Sequence, residues 1–295
     1  MRFLVHILLL QSLVAVAHAN SCECSAPIPS AGLLVDLDAD KGALLETNPE
    51  IAGEGHKEGE VAVWANQADE AKLNEFTNFR PGGRPSLRTN IAEIGGHSAI
   101  VFTEDELVNG DADALDHLTT GSGFTWAFVL AAHAQHPTRA SYHNVNAFFG
   151  NLKNGAEYEG FWAGLHDDNT LFIGSRNSLS FGRWNGDNPK IVGPKLEVGR
   201  FYVIAGRMQS GRGAVLVELF VNDSKPFAVD TFVVVPDADP SKLAIGQERD
   251  ATNHPGKESF DGEIARALIW ERPLTNDELS AVVESLKSDY MISVD

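Results

Sequence analysis

The sequence predicts an all-β fold, an antiparallel β-sandwich closed by one short C-terminal helix, and three observations carry that expectation. Short apolar runs that alternate with polar or small residues recur along the chain, the period of a sheet with one buried face. Gly, Asn, Asp and Pro punctuate them at close intervals without interleaved helices, which argues against a βαβ fold. The one strong helix signal lies near the end of the chain.

In order, the runs are Gly32 to Leu37, Val61 to Trp64, Ser98 to Phe102, Phe124 to His133, Asn146 to Gly150 and Tyr158 to Leu165. Thr170 to Ser175, Phe201 to Met208, Ala214 to Val221, Phe227 to Val235, Leu243 to Ile245 and Glu263 to Trp270 follow. Pro273 then stops the last strand, and Thr275 with Glu278 forms a Thr-x-x-Glu capping box. Leu279, Val282, Val283 and Leu286 keep helical spacing, so this helix is expected to lay an apolar stripe on the sandwich. A weaker helix is expected from Asp111 to His117. Neither a linker nor an internal repeat is visible, and residues 31–290 read as one domain behind a flexible segment, 20–30.

Residues 1–19 read as a cleaved export signal. Arg2 supplies the positive start, Phe3 to Ala17 is apolar apart from His6, Gln11 and Ser12, and Ala17-His18-Ala19 is a small-x-small cleavage site before Asn20. The expected location is therefore secreted or cell-surface, with the periplasm as another destination. A membrane anchor fits less well, because the run is short of the ~20 residues a spanning helix needs. Lipidation at Cys22 would use Ala19-Asn20-Ser21-Cys22, a poor lipobox. The only two cysteines, Cys22 and Cys24, sit at the start of the expected mature chain, in the 20–30 segment, so the body of the domain has neither a disulfide nor a thiolate metal site.

With 23 basic against 41 acidic side chains, the formal charge is −18. Its overall field repels nucleic acid and anionic membrane surfaces, and it favours divalent cations as partners. No later stretch is apolar enough to insert in a membrane.

Four segments stand out together: Gly32 to Asp40, Val61-Ala62-Val63-Trp64-Ala65-Asn66-Gln67-Ala68, Gly95 to Phe102, and the end formed by Phe260-Asp261-Gly262-Glu263-Ile264-Ala265, Leu268 to Thr275 and Glu278-Leu279. In this order they resemble the first strand, the W-x-D-x-S segment (with Asn66 and Ala68 substituted), the G-x-P-A-hydrophobic-x-F strand and the closing strand and helix of the concanavalin A-like lectin/glucanase superfamily, in its laminin-G-like branch. The resemblance implies a jelly roll, a scaffold that hosts lectins, hydrolases, lyases and adhesion modules alike.

Catalytic signatures are missing from the sequence. Glycoside hydrolysis needs two carboxylates across the scissile bond; in Glu104-Asp105-Glu106 neighbours would face opposite ways, while Asp36-x-Asp38-x-Asp40 alternates properly but reads as a solvated face or a cation site. There is no Gln-x-His lyase triplet, no Gly-x-Ser-x-Gly and no His-Glu-x-x-His, and His133-x-x-His136 alone does not define a metal site. A ligand face is more visible. Alternation over Tyr158 to His166 places Tyr158, Gly160, Trp162, Gly164 and His166 on one side and Phe161, Ala163 and Leu165 in the core. Arg176, Arg183 and Trp184, with Asn185 and Asp187, would extend that side. Aromatic rings with polar neighbours suit sugars, so the candidate carbohydrate-binding residues are Tyr158, Trp162, His166, Arg176 and Trp184. The alternative is that Trp162 packs under a loop and the arginines pair with carboxylates. The laminin-G resemblance also implies a rim Ca²⁺, with Asp105 and Asp261 as candidate ligands, although Asp-rich turns are ordinary turn chemistry. Asn222-Asp223-Ser224 is a glycosylation sequon. The expected function is non-catalytic, lectin-like carbohydrate binding, with a polysaccharide-degrading enzyme or an adhesion domain as alternatives.

Overall fold

The computed structural model describes residues 27–46, 59–69, 73–78, 83–111, 113–135, 145–153, 159–177, 188–248 and 258–293. The expected signal peptide, Cys22, Cys24 and His136 lie outside them. In chain order the strands are β1 (Leu33–Asp38), β2 (Ala43–Leu45), β3 (Val61–Ala65), β4 (Glu75–Thr77), β5 (Ser86–Ile91) and β6 (His97–Phe102). Next come β7 (Leu107–Val108), β8 (Phe124–Ala132), β9 (Asn146–Gly150), β10 (Glu159–Leu165), β11 (Thr170–Asn177) and β12 (Lys190–Lys195). The last are β13 (Phe201–Met208), β14 (Gly213–Val221), β15 (Ala228–Val234), β16 (Ala244–Ile245) and β17 (Gly262–Trp270), followed by the helix α1 (Asn276–Asp289).

They form two antiparallel sheets. The eight-stranded sheet runs β15-β14-β13-β8-β17-β6-β5 with β1 also paired to β17, and the nine-stranded sheet runs β12-β11-β10-β9-β16-β7-β4-β3-β2. The expected all-β jelly-roll sandwich is what forms. β17 organises the first sheet: β8 pairs along its whole length, while its other edge serves β6 through Gly262–Ile264 and β1 through Arg266–Trp270. The register shifts between Ile264 and Arg266, a bulge that lets Ala265 and Arg266 both leave the inner face. Gly262 is required at the β17 entrance, where an added Cβ would stand 2.3 Å from the Ala131 carbonyl oxygen and 2.2 Å from the Phe260 ring.

Two apolar layers follow from this alternation. Between the sheets lie Trp64, Phe102, Phe128, Phe148, Phe149, Phe161 and Phe260 with their aliphatic neighbours. On the far side of the eight-stranded sheet, Ala127, Val129, Val203, Leu268 and Trp270 receive α1 through Leu279, Val282, Val283 and Leu286. Each of those four side chains is fully buried, which stabilises the dock by roughly 1.5–3 kcal/mol apiece. The expected capping box is present: the Thr275 hydroxyl accepts the Glu278 amide and the Glu278 carboxylate accepts the Thr275 amide. Asn66, in the segment that resembled W-x-D-x-S, ties the sheets together. Its Oδ1 accepts the Asp36 amide (2.7 Å) and its Nδ2 donates to the Leu34 carbonyl (2.8 Å).

The weaker helix does not form. Asn109 Oδ1 accepts the Asp111 amide and Asp111 Oδ1 accepts those of Asp113 and Ala114, the bonds of a capped turn, but no regular helix follows over these residues. The segment turns instead, and one wide helical turn follows at Leu118–Ser122. Among the described residues no helix is long and apolar enough to cross a membrane.

Candidate functional site

The free face of the nine-stranded sheet, opposite the inter-sheet core, is built by β9 to β12. In β10, Phe161, Ala163 and Leu165 enter the core, so Gly160, Trp162 and Gly164 point outward. The register with β11 sets Trp162 against Gly174, Gly164 against Phe172 and Gly160 against Arg176. Gly150 of β9 is the other neighbour of Trp162, while Lys190 and Val192 of β12 stand against Gly174 and Phe172. Each ring thus has glycine beside it. At Gly150 an added Cβ would lie 2.6 Å from that of Trp162; at Gly160, whose φ is +114°, it would lie 2.7 Å from Asn151 Oδ1.

Trp162 and Phe172 form a small apolar cluster with Val145, Ala147 and Leu152, separate from the main core. The Arg176 guanidinium lies over Trp162 at 5.5 Å and the Lys190 ammonium over Phe172 at 4.6 Å, both cation–π geometries. The His166 ring is 5.1 Å from Phe172. Trp162 is 4% exposed, Phe172 0% and Arg176 6%, so the rings are packed and not an open platform. His166 and Lys190 are half-buried, and Val192 is exposed; these make the accessible rim. Burial, followed by the nearby Arg176 charge, pushes the Lys190 ammonium down to about 8.

The structure therefore brings together Trp162, His166 and Arg176 of the five expected ligand residues. Tyr158 and Trp184 lie outside the described residues, as do Arg183, Asn185 and Asp187. Phe172 and Lys190 were missed. Phe172 had a signal, since it shares the alternation of Arg176 in β11, but Lys190 begins a strand that the sequence hides. A cavity of about 10 Å³ beside Phe124, Trp126, Phe161 and Trp162 holds about one water, so it does not accept a sugar.

The family model described as the concanavalin A-like lectin/glucanases superfamily, of laminin G type, matches residues 108–280. The chain belongs to this superfamily. No curated protein sequence matches it. Among solved structures, Trypanosoma rangeli sialidase in complex with sialic acid aligns with a TM-score of 0.53 at 15% identity, over 92% of this chain and 35% of the sialidase chain. The same sialidase with a difluoro-KDN ligand gives 0.52, 15%, 96% and 37%. The chain thus spans about a third of those proteins, and the likeness is one of fold. A Ruminococcus gnavus IT-sialidase CBM40 bound to α2,3-sialyllactose gives 0.42 at 16% identity, over 63% of this chain and 95% of that one.

The remaining candidates in this superfamily member have structural partners. Asp36 and Asp38 hold the Arg266 guanidinium, so the cation of the alternating Asp set is a side chain of the protein, and Asp40 holds His97. Asp105 Oδ2 accepts the Thr103 amide and Asp261 Oδ1 the Glu104 amide, so both converge on one turn, where Glu104 has φ +59°. Two carboxylates are fewer than the six to eight oxygens Ca²⁺ takes, and the pair does not define a calcium site by itself. Three carboxylates that do approach one another are Asp113, Asp116 and Asp239, with donor atoms within 4.8 Å. His133 Nε2 meets Glu263 Oε1 at 3.1 Å, and Arg88 meets the same oxygen at 2.8 Å.

Proposed function

We propose that this chain is a lectin-like domain that binds carbohydrate on the free face of its nine-stranded sheet, without catalysis. The observation that carries the reading is the Trp162–Arg176 and Phe172–Lys190 pairing on a glycine-lined face, with His166 and Lys190 at the rim. The packed rings hold the cations in place, and the half-buried His166 and Lys190 at the rim supply hydrogen-bond donors that suit sugar hydroxyls. The superfamily's lectins and glucanases, and the sialic acid bound by the similarly folded sialidase, support sugar as the ligand class. Among the described residues, the outward positions of β10 and β11 carry no carboxylate, which favours holding over hydrolysis. In this reading the domain is exported, with cleavage after Ala19.

A glycan array with the protein, run with Ca²⁺ and again with chelator, tests it. Lys190→Met and His166→Ala, both at the half-buried rim, should abolish binding without lowering the cooperativity of thermal unfolding. Unchanged binding in both rejects the site, and release of reducing sugar from any bound glycan rejects the non-catalytic reading. Binding indifferent to chelator removes Ca²⁺ from it.

A further inference from the structure

We propose that Asn222 is the acceptor of an N-linked glycan, and that this glycan guards the free edge of β15. The inference rests on the exported reading above and adds a modification to it.

Asn222-Asp223-Ser224 is the only Asn-x-Ser/Thr triplet in the chain. It falls in the turn between β14 and β15, where Asp223 and Lys225 are exposed and Asp223 Oδ1 accepts the Lys225 amide at 2.9 Å. Asn222 takes φ +52°, in the left-handed region that Asn tolerates better than most residues. Its backbone amide donates to the Val203 carbonyl at 2.8 Å, and its Oδ1 accepts the Val203 amide at 2.7 Å. The carbonyl side of the Asn222 side chain is thus pinned to β13. Its Nδ2 has no hydrogen-bond partner among the described residues and is not enclosed.

That division suits the chemistry. The donor in N-glycosylation is an oligosaccharide carried on a polyprenyl diphosphate. Nδ2 bonds to the anomeric carbon while the bond from that carbon to the diphosphate oxygen breaks. The diphosphate leaves with the bonding electrons, and Nδ2 gives up one proton. The product is still an amide, so Oδ1 keeps its hydrogen bond to Val203 and the turn keeps its shape.

β15 gives such a glycan its role. The strand ends the eight-stranded sheet, paired to β14. Ala228-Val229-Asp230-Thr231-Phe232-Val233-Val234 is largely apolar, a composition that invites pairing with another chain. Its far half is tied up from within, since Asp230 Oδ1 accepts the Thr231 amide and the Val233 carbonyl accepts Asn177 Nδ2. The half beside the turn instead shows apolar side chains, with Phe227 55% and Val229 56% exposed. β15 lies two strands from β13, about 10 Å, within the sweep of an oligosaccharide of several rings rooted at Asn222. Bulky, hydrated sugars there stand where a second strand would have to dock.

The test is secretion of the full chain, with its own leader, from a yeast host that glycosylates asparagine. Protein from the medium should carry a glycan that peptide mapping places at Asn222 and that an amide-cleaving N-glycosidase removes with a fall in mass. Ser224→Ala should abolish the modification completely. It keeps Asn222 and its bonds to Val203, so thermal unfolding should stay cooperative. This unglycosylated variant should aggregate faster than the wild type on mild heating, and Val229→Lys added to it should restore the slower rate. Secreted protein without a glycan at Asn222 overturns the modification while the exported reading stands. A glycan whose loss leaves aggregation unchanged overturns the guarding role. A chain retained in the cells with its leader uncleaved overturns export and modification together.

Discussion

His97 clasps the end of α1 to β1 through Asp40: its Nδ1 lies 2.5 Å from Asp40 Oδ2, and its Nε2 lies 3.1 Å from the Asp289 carbonyl oxygen. One ring nitrogen thus faces a carboxylate oxygen and the other a backbone carbonyl oxygen. The ring also packs on Tyr290 at 4.6 Å, and the other Asp40 oxygen accepts the Ser98 amide at 2.8 Å. Three distant stretches of chain thus meet at one histidine.

Asp40 makes the clasp sensitive to acid. Burial pushes its carboxyl up, but hydrogen bonds from His97 and Ser98 outweigh that and hold it below the ordinary 3.8. A depressed carboxyl contributes stability that is present above the unfolded value and lost as pH falls through the folded one. Asp40→Asn should therefore lower stability by about 0.5–1 kcal/mol at neutral pH, as expected for a partly exposed pair, and by nothing in strong acid. Thermal melts of both proteins across that range check it. A deficit of the same size at every pH would show that Asp40 acts by shape alone.

Arg266 faces a harder constraint. Its guanidinium reaches Asp38 and Asp36, the latter at 2.7 Å, with all three side chains at most 15% exposed. Burial raises the Asp36 carboxyl in spite of the Arg266 charge. Arg266→Met would leave two buried carboxylates facing each other, and should cost about 3–5 kcal/mol in urea unfolding. Adding Asp36→Asn and Asp38→Asn should recover most of that loss. A single substitution that costs under about 1 kcal/mol would mean that water, not Arg266, solvates the pair.

These clusters show what was and was not legible in the sequence. Strands with a buried face were, because Phe161, Ala163 and Leu165 or Phe128, Leu130 and Ala132 carry the alternation that burial imposes. The strands that escaped notice were the sheet edges β5, β12 and β2 and the two short internal pieces β4 and β7. Ser86-Leu87-Arg88-Thr89-Asn90-Ile91 and Lys190-Ile191-Val192-Gly193-Pro194-Lys195 are polar or Pro-broken, which is how edges resist pairing with other chains. Lys190 was invisible for that reason. The Asp36-x-Asp38 pattern was visible but its partner was not, since Arg266 lies 228 residues from Asp38 and only the β1–β17 register brings them together. The α1 cap needed no tertiary information, because Thr275 and Glu278 are neighbours on one turn.

The Asp113, Asp116 and Asp239 cluster gives the clearest pH signature. Asp116 Oδ1 is buried with no hydrogen-bond partner among the described residues. Burial first, then the Asp239 and Asp113 charges, push its carboxyl up to about 6, against an opposing pull from Lys153, which pairs with Asp239 at 2.5 Å. The sign follows from linkage. A carboxyl raised in the fold binds its proton more tightly than the unfolded chain does, so the penalty is absent below about 4, grows as pH rises to about 6, and is complete above it. The shift of about two units would be worth about 3 kcal/mol if fully buried, and solvent reaching this half-exposed group reduces it to about 1 kcal/mol. Asp116→Asn should therefore match the wild type near pH 4 and exceed it by about that amount near pH 7. Lys153→Met should move the wild-type curve the other way, because it removes a positive charge that offsets the cluster. Urea unfolding of the three proteins at both pH values decides: an Asp116→Asn gain that is equal at the two would trace to packing, while a gain confined to the higher pH would trace to carboxylate repulsion.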